Sequence, residues 1–228
     1  LYMAFCKGTA THELHAFQRT SVGMPKTELM LAAIGVGKRN GSHLHFTLLQ
    51  GKDKSRETGM RLRENLVIGA ETGFSFFEKR WVTTLRGTIS LFTRDRNAPG
   101  VEDLLHANLR VPGDLISLNI STQGDIAFQG STHLKLKNTD FLAQVSRTGP
   151  GYHSLGNPYL RNDLLLADVR FSQKFFKMKG SLTAFYKHSY NDLSGWKDYR
   201  TTVKSAGITA AWRAPKQPWF VVTYAPMT

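Results

Sequence analysis

Between residues 124 and 138 the chain reads GDIAFQGSTHLKLKN, and its side chains sort by parity. Ile126, Phe128, Thr132, Leu134 and Leu136 hold even positions, whereas Asp125, Gln129, Ser131, His133, Lys135 and Lys137 hold odd ones. Alternate side chains of a strand point to opposite faces, so this pattern predicts a strand with one apolar and one wet, basic face. The period recurs along the chain. In 64–76, Leu66, Ile68, Ala70, Thr72, Phe74 and Phe76 oppose Asn65, Glu71 and Ser75. In 79–93, Trp81, Leu85, Ile89 and Leu91 oppose Arg86, Thr88 and Ser90. In 114–122, Ile116, Leu118 and Ile120 oppose Ser117, Asn119 and Ser121. In 164–176, Leu165, Ala167, Val169, Phe171 and Phe175 oppose Asp168, Arg170, Ser172 and Lys174. In 201–213, Ala206, Ile208, Ala210 and Trp212 oppose Ser205, Thr209 and Arg213. Period two repeated this often is an all-β signal. Helical period is scarce, with 101–109 and 55–66 the best short candidates.

These patterns predict about fourteen strands, near 1–7, 10–20, 27–38, 41–51, 63–75, 79–93, 104–111, 114–122, 125–137, 140–147, 164–176, 179–189, 201–213 and 218–228. The connections between them alternate in length. GTA, RNG, FEK, PG, NT, KMK and APKQP are short, while SVGMPK, GKDKSRETGMRLRE, RDRNAPGVED, TGPGYHSLGNPYLRND and YNDLSGWKDYRT are longer; QG is a short exception among the long ones. An antiparallel up-and-down sheet puts successive connections at opposite ends. One end therefore carries turns and the other carries loops.

This asymmetry resembles that of the bacterial (Gram-negative) outer-membrane β-barrel superfamily, porin- or transporter-like, with short periplasmic turns and longer outer loops. The resemblance spans the whole chain but is architectural, and it singles out no particular family within the superfamily. Strand lengths near ten residues fit a tilted crossing of the hydrocarbon layer. It implies an antiparallel up-and-down transmembrane β-barrel, one domain over 1–228, in the bacterial outer membrane. The function implied is transport of solutes or polypeptides, or a structural role in an envelope complex, without enzymatic activity and without a cofactor. The implied partners are membrane lipid, lipopolysaccharide and other envelope proteins rather than nucleic acid. With the first turn taken as GTA, Leu1 and Thr228 both fall at the outer end, where complete barrels of this kind do not keep their termini. The expectation is a stretch of a longer barrel, incomplete at one or both ends.

Composition sharpens this in two places. The 228 residues contain 30 Lys and Arg against 17 Asp and Glu, a formal charge of +13 that attracts polyanions without choosing among them. Cys6 is the only cysteine, which excludes an internal disulfide and a cysteine-rich metal site. No apolar run is long enough for a membrane helix, and such a test is blind to barrel strands.

Within the barrel reading, Arg86, Arg110, Lys135, Lys137, Arg170, Lys174 and Lys187 are the inward, lumen-facing cations, because a lysine or arginine on the lipid side costs about 2–4 kcal/mol at mid-height. A lumen so lined favours anions. Lys52, Lys54, Arg56, Arg61 and Arg63 form a basic patch in one outer loop, suited to lipopolysaccharide phosphates or an anionic solute. Trp81, Trp212, Trp219, Phe220 and Tyr224 are the interface aromatics. His43 and His45 share a face at a spacing that can serve a metal if a third ligand converges, but no neighbouring carboxylate is visible in sequence, so they read as lumen-lining. The HELH of 12–15 has its histidines three apart, not the four of zinc proteases, and GVGKRNGS at 35–42 reads as a hairpin turn rather than a phosphate loop. The loop 147–163, RTGPGYHSLGNPYLRND, combines turn-forming Gly149, Pro150, Gly151, Gly156, Asn157 and Pro158 with apolar anchors Tyr152, Leu155, Tyr159 and Leu160. That mixture predicts an ordered loop, folded over a pore, packed on the rim or set against a partner.

Two other readings remain open. A soluble all-β protein would use the basic face for polyanions, nucleic acid or acidic glycan, with WKDYR at 196–200 as its best feature. A barrel-embedded hydrolase would need a serine, histidine and acid set, for which no Gly-x-Ser-x-Gly elbow is present.

Overall fold

The computed structural model describes residues 2–10, 26–38, 41–54, 61–100, 115–157, 159–177, 179–213 and 218–226. Every regular element among them is a strand: β1 Tyr2–Ala10, β2 Lys26–Gly37, β3 His43–Lys54, β4 Glu64–Phe76, β5 Trp81–Thr93, β6 Thr122–Lys135, β7 Thr139–Thr148, β8 Leu164–Phe175, β9 Gly180–Asn191, β10 Thr202–Trp212 and β11 Phe220–Tyr224. They form one antiparallel sheet in strict sequence order, each strand hydrogen-bonded to its predecessor and its successor. No pairing joins β1 to β11 among the described residues, so the sheet is open.

The connections segregate by length without exception. Residues 11–25, 55–63, 94–121, 149–163 and 192–201 join strands at one end, and 38–42, 77–80, 136–138, 176–179 and 213–219 join them at the other. Tight turning at the short end is accomplished largely by ordinary residues in left-handed conformation, Phe77, Glu78 and Lys79 in one hairpin and Phe176 and Lys177 in another.

Three details depart from the sequence-based expectation. GTA lies inside β1, so the first connection is the long 11–25 and Tyr2 starts from the turn end. The expected strands at 104–111 and over most of 10–20 lie outside the described residues, as does the helix candidate at 101–109. The expected strand at 114–122 is an irregular segment over 115–121, and QG falls inside β6. The described residues form eleven strands, and among them the single exception to the alternation disappears. The reason for the last correction is local. Asn119 folds the chain back, its side chain accepting hydrogen bonds from the Ser121 backbone at 2.9 Å and the Ser121 hydroxyl at 2.7 Å, a turn that competes with strand pairing. At 55–66, residues 61–63 are irregular and 64–66 belong to β4, so that stretch supplies no helix there.

Register sorts the side chains into two faces. On one, Phe46 sits opposite Ala70, Leu48 opposite Ile68, Ile68 opposite Ile89 and Ile89 opposite Ile126. Farther along, Leu134 lies opposite Phe141, Phe141 opposite Phe171, Ala184 opposite Ile208 and Ala210 opposite Val222. This apolar face is open: Ile89 is 53% exposed and Ile208 51%. The opposite face carries His45 against Glu71, Arg86 against Gln129, Ser131 against Gln144 and Asp168 against Lys187. The alternation read from β4, β5, β6, β8 and β10 is thus the division between these two faces.

Among the described residues, both faces are covered only at the loop end of β3–β6. Residues 115–121 fold onto the apolar face, where Ser117 N–H donates to Glu64 Oε2 at 2.9 Å and the Thr93 hydroxyl to Ser117 O at 2.9 Å. Ile116 and Leu66 become buried there. The core is accordingly a rim at one end of the sheet.

Candidate functional site, the polar face beneath the 149–163 loop

The 149–163 connection leaves β7 and lies back over the polar face as far as β3. Asn65 anchors it. The Asn65 amide donates to His153 O at 3.1 Å and to Leu91 O at 3.0 Å, and its oxygen accepts from Leu155 N–H at 3.1 Å. Ser90 Oγ also donates to His153 O, and the His153 ring lies 4.7 Å from that of Phe92. Burial, with the Arg94 charge adding to it, lowers the His153 pKa, which favours the neutral imidazole over Phe92. Leu155 packs over Gly51, where any Cβ would meet its side chain at 2.9 Å. At the β6 side, Gly151 N–H donates to Asp125 Oδ2 at 2.7 Å. Of the four expected anchors, Tyr152 and Leu155 are buried against this chain's own polar face, whereas Tyr159 is 86% and Leu160 37% exposed.

A second tie fixes the loop's exit. Asp163 is buried, accepting from Leu193 N–H at 2.7 Å and from Lys197 Nζ, so it joins the 149–163 loop to the 192–201 loop.

Below the loop, at mid-height of the polar face, Arg86, Glu71 and His43 form a chain. Arg86 Nε donates to Glu71 Oε2 at 2.6 Å, with Nη2 on the same oxygen, while His43 Nε2 meets Glu71 Oε1 at 3.1 Å and His43 Nδ1 meets Gly41 O at 2.8 Å. The carboxylate missing beside the histidines in sequence is therefore present, delivered by register from β4. His45 lies opposite the same Glu71. Even so, no group of three or more His, Cys, Asp or Glu side chains converges as a metal ion requires among the described residues.

The structure separates the sequence-predicted cations into groups. Arg86, Lys135, Arg170, Lys174 and Lys187 all lie on the polar face by register. Arg86 is paired, whereas Lys135, Arg170, Lys174 and Lys187 form no ion pair among the described residues. Lys137 sits in the turn after β6, and Arg110 lies outside the described residues. The patch at 52–63 divides: Lys52 and Lys54 belong to the end of β3 rather than to the loop, and meet Glu64 and Glu28 at 2.6 Å each. Arg63 meets Asp53 at 2.7 Å, Arg61 is exposed, and Arg56 lies outside the described residues. Trp81 and Trp212 sit at the turn end, Trp81 against Phe76 at 5.7 Å and Trp212 against Phe176 at 5.6 Å. Trp219 and Phe220 stand at the same end, with the Arg213 guanidinium 5.5 Å above the Trp219 ring. Tyr224 is at the far end of β11, opposite Ile208.

Two recesses open between the 149–163 loop and the polar face, of about 290 Å³ and 130 Å³. Arg86, Thr88, Gln129, Ser146, Ser154 and Asn157 are among the residues lining the larger. Sequence reasoning had no access to it, since its walls come from three strands and a loop that meet only through the fold. No family model, curated protein or solved structure matches this chain.

Proposed function

We propose that the chain forms the wall of a bacterial outer-membrane β-barrel that admits anionic solutes, with the apolar face toward lipid and the polar face toward an enclosed aqueous lumen. The observation that carries this is the apolar face, which among the described residues is uncovered below the rim held by 115–121. Among the described residues no helix and no second sheet lies on it, although side chains such as Phe46, Ile68, Leu85, Ile126 and Val169 stand out from it in one continuous field. A soluble sheet must bury such a face against another layer. A lipid solvent removes that requirement, provided every backbone group is paired within the wall.

From Ile68 to Phe76, both exposed, the alternate positions of β4 run about 26 Å along the strand. At a tilt of about 40° this gives a band of about 20 Å, which fits inside the apolar band of about 25 Å in such barrels. The aromatic residues at the turn end fit one girdle, and Tyr190, on the same face at the loop end opposite Leu165, fits the other. The unpaired polar-face cations support anion preference. Arg61, exposed at the loop end, suits lipopolysaccharide phosphates.

Closure has a geometric condition. β1 and β11 both run from the turn end toward the loop end. Joined directly, they would form a parallel seam; an additional strand between them would make every pairing antiparallel.

The test is reconstitution. The protein should fold into phospholipid vesicles, migrate in a heat-modifiable form on detergent gels, and give planar-bilayer conductance selective for chloride over potassium. A monodisperse, detergent-free, water-soluble monomer would overturn the proposal.

A further inference from the structure

The larger recess beneath the 149–163 loop has a lining that discriminates among solutes. Arg86 borders it on the polar face and no carboxylate is among its described lining residues; Arg147 borders it too, but by register its side chain lies on the apolar face, opposite Phe128 and Leu165. Glu71, immediately behind, holds Arg86 by Nε and Nη2, so the Nη1 edge makes no hydrogen bond among the described residues. The side chains of Gln129, Ser146, Ser154 and Asn157 likewise have no partner among the described residues, and each both donates and accepts. Tyr152 is buried under the loop, and Leu160 supplies an apolar edge. A fixed guanidinium beside several unspent hydroxyl and amide groups is the chemistry of one carboxylate and several hydroxyls. The volume, about 290 Å³, stands near the lower limit for small-molecule sites.

We propose that this recess binds a small hydroxylated monocarboxylate, a sugar acid, with Arg86 holding the carboxylate and Gln129, Ser146, Ser154 and Asn157 holding the hydroxyls. The Glu71 carboxylate behind Arg86 disfavours dianions such as phosphate, because it cancels the guanidinium charge at short range. It also holds the guanidinium in place before the ligand arrives, which spares ordering entropy on binding. The loop forms one wall, so a solute travelling along the polar face meets the site beneath residues 152–157. The inference deepens the reading of the polar face as a water-filled solute path, yet it requires only that this face be wet.

The experiment is titration calorimetry on the full chain in detergent micelles, with D-glucuronate, D-glucose, acetate and sulfate as probes. Saturable glucuronate binding is expected, with glucose, acetate and sulfate each at least tenfold weaker. Arg86→Gln should weaken glucuronate at least tenfold. Ser154→Ala and Asn157→Ala should each weaken it severalfold without moving the thermal midpoint. Gln129→Leu covers the case in which Arg86→Gln does not fold, since it leaves the Arg86–Glu71 pair intact, and it too should lose affinity. Absence of glucuronate binding, equal affinity for acetate or sulfate, or unchanged affinity in the variants overturns the proposal. Vesicle insertion is read separately, so a wall that inserts but does not bind sinks only the site, and a chain that binds without inserting sinks only the membrane reading.

Discussion

Leu155 and Asn65 are far apart in sequence, yet the Leu155 amide donates to the Asn65 side-chain oxygen at 3.1 Å in a site closed to solvent. The same side chain donates to Ser90 Oγ, Leu91 O and His153 O, so one amide group ties two strands to the loop laid across them. Removing it leaves the Leu155 N–H and His153 C=O buried with fewer partners, a cost of about 1–3 kcal/mol. Asn65→Ala is therefore expected to release 149–163. Amide exchange at Leu155 should accelerate more than tenfold while β8 and β9 keep their protection. Asn65→Asp, which retains the acceptor for Leu155, should loosen the loop less.

The link from Asp163 to Lys197 predicts a pH dependence confined to the loops. Burial by itself would raise the Asp163 pKa; the hydrogen bonds from Lys197 and Leu193 N–H and the Lys197 charge outweigh it and set the carboxyl below its ordinary 3.8. A lowered folded pKa means the stabilisation is complete above that ordinary value and vanishes as pH falls through the lowered one. Lys197 is raised above 10.5, chiefly by its hydrogen bond to Asp163, so the tie holds through neutral pH and is lost only as pH rises beyond that raised value. Hydrogen exchange of residues 192–201, corrected for intrinsic rates, should be flat between pH 5 and 8 and rise below pH 3. Asp163→Asn should show the fast rate at every pH. Equal protection of wild type and Asp163→Asn at pH 6 would sink this account.

Much of the wall was legible because period two survives any tertiary context in which the two faces differ. Ile68, Phe74 and Phe76 against Glu71 and Ser75 needed no partner strand to be assigned. The alternation at Ile116, Leu118 and Ile120 misled for the same reason: it encodes two environments, and here Ile116 is buried on the Leu66 rim while Ile120 is exposed, without any ladder. Strand ends were less legible. Lys52 and Lys54 look like loop residues by charge, but Glu64 and Glu28 lie within reach on neighbouring strands, and only register reveals them. Glu71 between His43 and Arg86, and the recess under 149–163, depend on contacts across strands and so were invisible.

His43 lies over Gly73 on the polar face, and a Cβ at Gly73 would fall within the imidazole. Gly73→Val must therefore displace His43 from Glu71 or shift β3 from β4, at about 1–3 kcal/mol. Gly87 is the matched control, because a Cβ there meets nothing within 4 Å. Gly87→Ala is expected to be neutral or stabilising by about 0.5–1 kcal/mol, as a glycine in a strand interior sacrifices backbone entropy. Urea unfolding of both variants in the same lipid or detergent measures the contrast. Equal loss in the two would show that the His43 contact carries no energy.

The two faces should differ most in their response to a single positive charge. Ile89 and Val169 stand on the apolar face near mid-height, and Ser131 and Gln129 hold the polar face at a similar level. If acyl chains surround the first pair, Ile89→Lys and Val169→Lys should each cost about 2–4 kcal/mol, because the ammonium is drawn from water into hydrocarbon. Ser131→Lys and Gln129→Lys add a cation to a face already lined with Arg86, Lys135 and Arg170, and should change stability by less than about 1 kcal/mol. A further substitution locates the edge of the band: Thr202→Lys, beside the long loops on the apolar face, should cost about 0–1 kcal/mol. Equilibrium unfolding in vesicles measures all five. A cost that fails to follow face and height together, with Ile89→Lys as harmless as Ser131→Lys, would mean that the apolar face meets water or protein instead of lipid.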